Sequence, residues 1–313
     1  MTLPKRVEIV EVGPRDGLQN EARILSVEAK TELVEALARA GLIRIEAGSF
    51  VSPAAAPQMA TTGEVLQRLG PRPELRLSVL VPNLRGLSAA LAAGAREIAV
   101  FAAATETFSK RNINCSIAES LDRFSKVVAE ARGQGVRARG YVSCALGCPY
   151  EGAVAPQQTA AVARELHAMG CSEISLGDTI GVGTPLAARA LIEAVARDVG
   201  PKNLAVHFHD TYGQALANIF ACLEAGIAVI DASVGGLGGC PYAPGASGNV
   251  ATEDVVYMLN GMGVESGVNL SALLETGAAV ARQLGRAPQS AVARAYVSSK
   301  ARFSTIQASE AQT

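Results

Sequence analysis

The 313-residue sequence has no surplus of either charge: 28 Lys and Arg stand against 29 Asp and Glu, a formal net charge of -1. That balance removes the electrostatic reason to expect nucleic acid or a membrane surface as partner, and an anionic ligand would have to be held by a few local cations. Aromatic residues make up 4% of the chain, too few for a stacking surface. No apolar run approaches the roughly 18 residues that a membrane span requires. The six cysteines (Cys115, Cys144, Cys148, Cys171, Cys222 and Cys240) include no C-x-x-C pair. Scattered cysteines in a long chain point to a reduced, intracellular setting rather than a disulfide framework. Strand-like sequence begins at Val7, directly after Met1-Thr-Leu-Pro-Lys-Arg6, which leaves no stretch for a cleaved leader; the expected location is the cytoplasm.

With 49% hydrophobic and 18% charged residues, the chain can bury a large core. Short β-branched runs alternate with longer amphipathic ones. The pattern predicts strands over Val7–Val12, Leu42–Ala47, Arg76–Val81, Glu97–Ala102, Val136–Val142, Glu173–Leu176, Leu204–Phe208 and Val229–Val234. Helix-like stretches between them include Ser26–Ala40, Ser116–Gly133, Ala155–Met169, Pro185–Val199 and Gly213–Ala225. Eight strands, each followed by a helix, predict an α/β fold closed as a (β/α)8 TIM barrel. After the first strand the chain reads Gly13-Pro-Arg-Asp-Gly17, not G-x-G-x-x-G, which argues against a dinucleotide-binding sheet. Helices over Thr252–Gly261 and Val268–Leu284 follow the last strand. The expected organisation is a catalytic barrel over residues 1–265, with a C-terminal helical extension and frayed tail over 266–313.

Barrel enzymes carry their reactive groups at the C-terminal ends of the strands. There the sequence places Arg15, Asp16, Gln19 and Asn20 after strand one, Glu46 on strand two and Asp178-Thr179 after strand six. Strand seven ends in His207-Phe-His209, and strand eight opens into a glycine-dense loop running through Cys240 to Asn249. The opposite strand ends show no comparable set. Two of the chain's three histidines are His207 and His209; spaced two apart on a strand, they leave the same face. Such a pair serves equally as a hydrogen-bonded couple or as half of a metal site. Closing the barrel puts strand eight between strands seven and one, which brings Asp16 and Asn249 beside the histidines. One carboxylate, two imidazoles and an amide oxygen suit Mg²⁺ or Mn²⁺ better than a closed zinc site, which usually wants thiolates.

Arg15, next to Asp16, could stabilise a developing enolate; as a structural residue it would pair with Glu46 or Asp178. Cys240 could bring a thiol over the site on a mobile lid, or fill apolar space as most lone cysteines do. Glu11 is read as a paired residue of the barrel interior, His167 as a helix-end residue, and Cys144 and Cys148 as packing residues.

Four segments resemble the 3-hydroxy-3-methylglutaryl-CoA (HMG-CoA) lyase family: Glu11-Val-Gly-Pro-Arg-Asp-Gly-Leu-Gln-Asn20, Tyr141-Val-Ser-Cys-Ala-Leu-Gly-Cys-Pro-Tyr150, Ser175-Leu-Gly-Asp-Thr-Ile-Gly-Val-Gly183 and Gly235-Gly-Leu-Gly-Gly-Cys-Pro-Tyr242. The cysteine loop is the most specific of these. The Arg-Asp-Gly and His-x-His elements are shared with a wider barrel superfamily that includes isopropylmalate and homocitrate synthases. The resemblance implies cleavage of HMG-CoA to acetyl-CoA and acetoacetate, with a divalent metal on Asp16, His207, His209 and Asn249. It implies enolate stabilisation by Arg15, substrate positioning or proton transfer by Glu46 and Asp178, and acid–base work by Cys240, with His207 also a candidate base. It further implies an acyl-CoA ligand and a homodimer. Gln19 and Asn20, with Arg85, Lys110 and Arg111 on the loops after strands three and four, are the residues expected to meet the CoA portion. A synthase of the same superfamily, running carbon–carbon bond formation, would usually need a longer chain. A silent scaffold barrel would have eroded the strand-end set, which is intact.

Overall fold

A computed structural model describes residues 3–239 and 248–298. Eight parallel strands close into a barrel in the spatial order β1-β8-β7-β6-β5-β4-β3-β2. They are β1 (Glu8–Glu11), β2 (Arg44–Ser49), β3 (Arg76–Leu80), β4 (Glu97–Ala103), β5 (Arg137–Ser143), β6 (Glu173–Asp178), β7 (Leu204–Phe208) and β8 (Val229–Ala232). Each lies within about two residues of its sequence-predicted span (the uncertainty normal for an element boundary). The helices are α1 (Val27–Arg39), α2 (Thr62–Leu69), α3 (Leu84–Ala92), α4 (Glu106–Ile113), α5 (Ile117–Gly133), α6 (Pro156–Ala168), α7 (Pro185–Val199), α8 (Ala215–Glu224), α9 (Thr252–Gly261) and α10 (Leu270–Leu284). A two-stranded hairpin of Gly147–Cys148 and Gly152–Ala153 stands after β5 at the barrel mouth. None of the described helices is long and apolar enough to cross a membrane.

Local signals fix the helix starts. Ser26 caps α1 by accepting from the Ala29 amide, and Ser116 and Glu119 form a reciprocal capping box on α5. Each cap satisfies orphan amides and stabilises its helix by about 1 kcal/mol. At the end of α1, Gly41 takes φ +98°, and a Cβ there would lie 2.3 Å from the Gly267 carbonyl oxygen. Only glycine lets the chain turn into β2 this close to the segment that leads to α10. The C-terminal segment is tied down by α10 packing on α1 and by Asp254, which accepts from Ser290, Ala291 and Val292.

The main apolar core lies between strands and helices, where Ile45, Val79, Ile98, Val142, Ile174, Val206 and Ile230 point outward from the barrel. The barrel interior is different. Leu80, Ala99 and Tyr141 form a small separate cluster there. Below them Arg44 pairs with Glu8, Glu97 and Glu173, Arg76 with Glu97, and Arg139 with Glu173 and Asp231. The sequence reading found no set here comparable to the reactive one, and it did not foresee these ion pairs. The lower strand ends carry an ionic layer whose members alternate with apolar residues and so look like interruptions of a strand pattern. Breaking one such buried pair would cost roughly 3–5 kcal/mol, because it leaves an uncompensated charge.

Candidate metal centre and active site

The turn after β1 sets the first two site residues. Gly13–Gly17 winds as a tight helical turn with Pro14 at its start, and the Gly17 amide bonds back to the Val12 carbonyl at 3.1 Å. A Cβ on Gly17 would stand 2.6 Å from Ser233 Oγ, so glycine lets this turn press against the loop after β8. Arg15 and Asp16 then project over the barrel mouth. Arg15 is buried, donating from Nε to Glu46 Oε2 and from Nη1 to Asp16 Oδ1, with its guanidinium 5.5 Å from the Tyr141 ring centre. The structural pairing expected for Arg15 with Glu46 is thus made, without removing Arg15 from the cavity wall.

His207 ends the interior face of β7, and His209 follows it in a bridge to Asn249. The Nε2 atoms of the two rings lie 3.9 and 3.8 Å from Asp16 Oδ2. Among the described residues these three form the one group of histidine, cysteine and acidic side chains able to hold a metal, with ligand atoms all within 4.8 Å of one another. The donors fit such an ion. Burial opposes the charge on Asp16, but Arg15 and the two histidines hold its carboxyl well below the usual range, so it is an anion at neutral pH. His209 Nδ1 is a buried polar atom with no hydrogen-bond partner. Asn249 lies alongside, with Nδ2 donating to Asp16 Oδ2 at 2.8 Å and to the Leu237 carbonyl at 3.2 Å.

These groups face a cavity of about 630 Å³ at the C-terminal mouth of the barrel. One side is polar, with Arg15, Asp16, His207 and His209; the other is apolar, with Val51, Leu80, Phe101, Phe108 and Ile113. Gln19 and Asn20 line it as expected, and Asn20 donates to the Gly239 carbonyl at 3.0 Å.

Several expected residues are placed elsewhere. Glu46 lies fully buried beneath Arg15 rather than on the wall; burial raises its carboxyl pKa and Arg15 opposes that rise. Asp178 turns its carboxylate into its own loop, accepting from Val182 N at 3.2 Å and Gly183 N at 2.7 Å, and so does not line the cavity. Lys110 and Arg111 are exposed on α4, with Arg111 over the Tyr150 ring. Arg85 stands on an outer shelf with Lys126 and Arg123. Glu11 is not in the barrel interior: it accepts from Gly13 N, Val234 N and Thr252 Oγ1, outside the strand ring. Cys240 lies outside the described residues. The five described cysteines are buried, and burial pushes the Cys171 and Cys222 thiols up to about 12.

Sequence reasoning missed four side chains. Arg123, on α5, reaches both the cavity and the outer shelf. Tyr141, Arg139 and Asp231 sit on or below the site. Only Tyr141 stood within a quoted motif, and the spacing of the others in their strands carried no signal.

A closed (β/α)8 barrel whose C-terminal mouth carries an Asp–His–His cluster able to hold a metal has the architecture of a barrel enzyme. The chain belongs to the HMGL-like family, whose model matches residues 6–280. It is 59% identical over 297 residues to a 3-hydroxy-3-isohexenylglutaryl-CoA/hydroxymethylglutaryl-CoA lyase of Pseudomonas aeruginosa, covering 95% of this chain and 99% of that one. It is 57% identical over 294 residues to the mitochondrial hydroxymethylglutaryl-CoA lyase of Bos taurus, covering 94% and 90%. A crystal structure of hydroxymethylglutaryl-CoA lyase from Pseudomonas aeruginosa superposes with a TM-score of 0.93 at 58% identity, covering 96% of this chain and all of that one. An HMG-CoA lyase from A. baumannii, solved with coenzyme A and 3-methylmalate, superposes with a TM-score of 0.90 at 34% identity, covering 94% and 96%.

Proposed function

We infer that this protein is a lyase that cleaves HMG-CoA to acetyl-CoA and acetoacetate, with Mg²⁺ or Mn²⁺ as its metal. The observation that carries the reading is the convergence of Asp16, His207 and His209 beside Arg15 in one cavity, in a chain so similar to proteins named for this reaction. Asp16, His207 and His209 are the metal ligands, with Asn249 as a fourth. A divalent ion held by these residues would supply Lewis-acid polarisation of substrate oxygens.

The chain's own groups do the rest. Of the expected bases, Asp16 is the carboxylate on the cavity wall and takes the proton of the tertiary hydroxyl; Glu46 lies off that wall beneath Arg15, and His207 has its ring nitrogens engaged by the metal and by Asp231. The C2–C3 bond breaks, its electron pair passing to the thioester fragment as an enolate while acetoacetate leaves. The Arg15 guanidinium, kept rigid by Glu46 and Asp16, faces the enolate oxygen. Cys240, from the loop after β8, returns a proton to the enolate carbon to give acetyl-CoA. Gln19 and Asn20 meet the thioester end of CoA, and Arg123 and Arg85 meet its phosphates, with Lys110 and Arg111 further out.

A second substrate reading rests on the apolar wall of Val51, Leu80, Phe101, Phe108 and Ile113, which gives room for a 3-substituent larger than methyl. A relative named for an isohexenylglutaryl thioester accords with it. We place the enzyme in the cytoplasm as a homodimer; six scattered cysteines with no C-x-x-C pair suit a reducing compartment.

The test is acetoacetate release from HMG-CoA with Mg²⁺, with Mn²⁺ and after chelation. Metal-dependent release is expected. No release with metal bound would move the substrate to another acyl-CoA or to a 2-oxo acid.

A further inference from the structure

Asp231 has no place on the cavity wall and is almost completely buried, yet its carboxylate is a point of convergence. Arg139 grips it with two nitrogens, Nη2 to Oδ1 at 2.6 Å and Nη1 to Oδ2 at 3.1 Å. The Ser175 hydroxyl donates to Oδ2 at 2.8 Å, and His207 Nδ1 lies 3.2 Å from the same oxygen. Arg139 is itself held by Glu173 at Nε and by the Tyr141 hydroxyl at Nη1. The assembly spans four strands, β5 through β8, and Asp231 is the direct register partner of His207 across β7 and β8. Backbone pairing therefore fixes how far the carboxylate stands from the ring.

A carboxylate ion-paired in this way can only accept hydrogen bonds. The proton of a neutral His207 must then sit on Nδ1, which leaves the Nε2 lone pair facing Asp16 and the cavity. His209 supplies the contrast. Its Nδ1 is buried without a partner, so no comparable group among the described residues holds that ring or selects its tautomer. The two imidazoles are built unequally.

We propose that Asp231, clamped by Arg139 and Ser175, is a positioning residue that sets the tautomer and ring plane of His207 and so aims Nε2 at the metal. The role rests on reading Asp16, His207 and His209 as the metal centre. An outer carboxylate on a ligating histidine fixes tautomer and orientation, and its loss typically lowers metal affinity about 10–100-fold.

The test uses full-length protein labelled with ¹⁵N-histidine. With three histidines in the chain, the ring nitrogens give few signals in long-range ¹H–¹⁵N spectra. Metal-free wild type at a pH where the rings are neutral is expected to show His207 as the Nδ1–H form. In Asp231→Asn the amide oxygen stays with Arg139 and the NH₂ turns toward His207, which should switch the ring to the Nε2–H form. Mn²⁺ affinity, read by electron paramagnetic resonance, should fall about 10–100-fold in the same variant. Wild-type His207 found in the Nε2–H form overturns the proposal with no variant needed. An unchanged tautomer and unchanged Mn²⁺ affinity in folded Asp231→Asn also overturn it. Wild type that binds no Mn²⁺ overturns the metal-centre reading instead, and the tautomer spectra tell the two failures apart.

Discussion

Arg15 Nε lies 2.5 Å from Glu46 Oε2, while Glu46 Oε1 is buried with no hydrogen-bond partner. The pair is lopsided: one carboxylate oxygen is committed to holding the guanidinium and the other is left bare beneath the site. A lysine at position 15 could carry the charge but could not donate to Glu46 and Asp16 from one rigid plane. Arg15→Lys should lower kcat about 10²–10³-fold, the loss expected when a preorganised donor to an oxyanion goes. KM for HMG-CoA and Mn²⁺ affinity should hardly move. Steady-state kinetics decide it: a raised KM with kcat intact would make Arg15 a ground-state binding residue.

Asp16, the proposed ligand, is the carboxylate that both histidines face, at 3.9 and 3.8 Å from their Nε2 atoms. Asp16→Ala removes the one anion of the cluster. Mn²⁺ affinity should fall by at least about 100-fold, beyond the range for a supporting residue, and acetoacetate release should fall with it. Calorimetric titration with Mn²⁺ measures the first. Unchanged binding would take Asp16 off the ligand set.

Cys240 calls for the opposite pattern. As the proposed proton donor it would serve the reacting carbon fragment and not the metal, so Cys240→Ser should lower turnover about 10²-fold or more while Mn²⁺ binds as before. A serine hydroxyl is a far weaker acid than a thiol and cannot replace it near neutral pH. An undiminished rate would return Cys240 to a packing role.

How much of this was legible in the sequence follows from periodicity. The eight strands could be read because their outward residues, such as Ile45, Val79 and Ile174, alternate cleanly and are bounded by glycine. His207 and His209 could be read because a spacing of two on a strand fixes a common face, and barrel closure then brings Asp16 beside them. Asp178 could not be placed, since only the local path of residues 178–183 turns its carboxylate toward Val182 and Gly183. Asp231, Arg139 and Ser175 escaped for a related reason. Their contacts cross the barrel interior between strands that are not adjacent, at large sequence separation, and a polar residue within a strand gives no hint of which group will face it.

Arg123 illustrates the same blind spot on a helix. It sits on α5, a turn inside the helix, where an arginine normally reads as a solvated face. The fold sets it between the cavity and the shelf that holds Arg85 and Lys126, on the path a CoA phosphate would follow. A remote phosphate contact binds substrate and transition state alike. Arg123→Ala should therefore raise KM for HMG-CoA by roughly tenfold, about 1.4 kcal/mol, with kcat nearly unchanged. A fall in kcat at constant KM would place Arg123 at the chemistry instead.

The last expectation concerns stability rather than rate. Glu253 accepts from the Gly235 amide with both oxygens, and Glu11 accepts from the neighbouring Val234 amide, so two buried carboxyls clamp the start of the loop after β8. Burial pushes Glu253 up to about 8 and Glu11 up to about 7, from 4.5 for each ordinary side chain. Both folded values are raised, so the fold favours the protonated forms. Their contribution is complete below about pH 4.5 and is lost as pH rises through 7 to 8. Glu253→Gln keeps an acceptor for Gly235 and removes the titrating proton. Its melting temperature should match wild type near pH 5 and exceed it by several degrees near pH 9, a gap on the order of a few kcal/mol. Parallel melting curves across that range would mean that Glu253 is already ionised in the folded protein, with the Gly235 clamp strong enough to offset its burial.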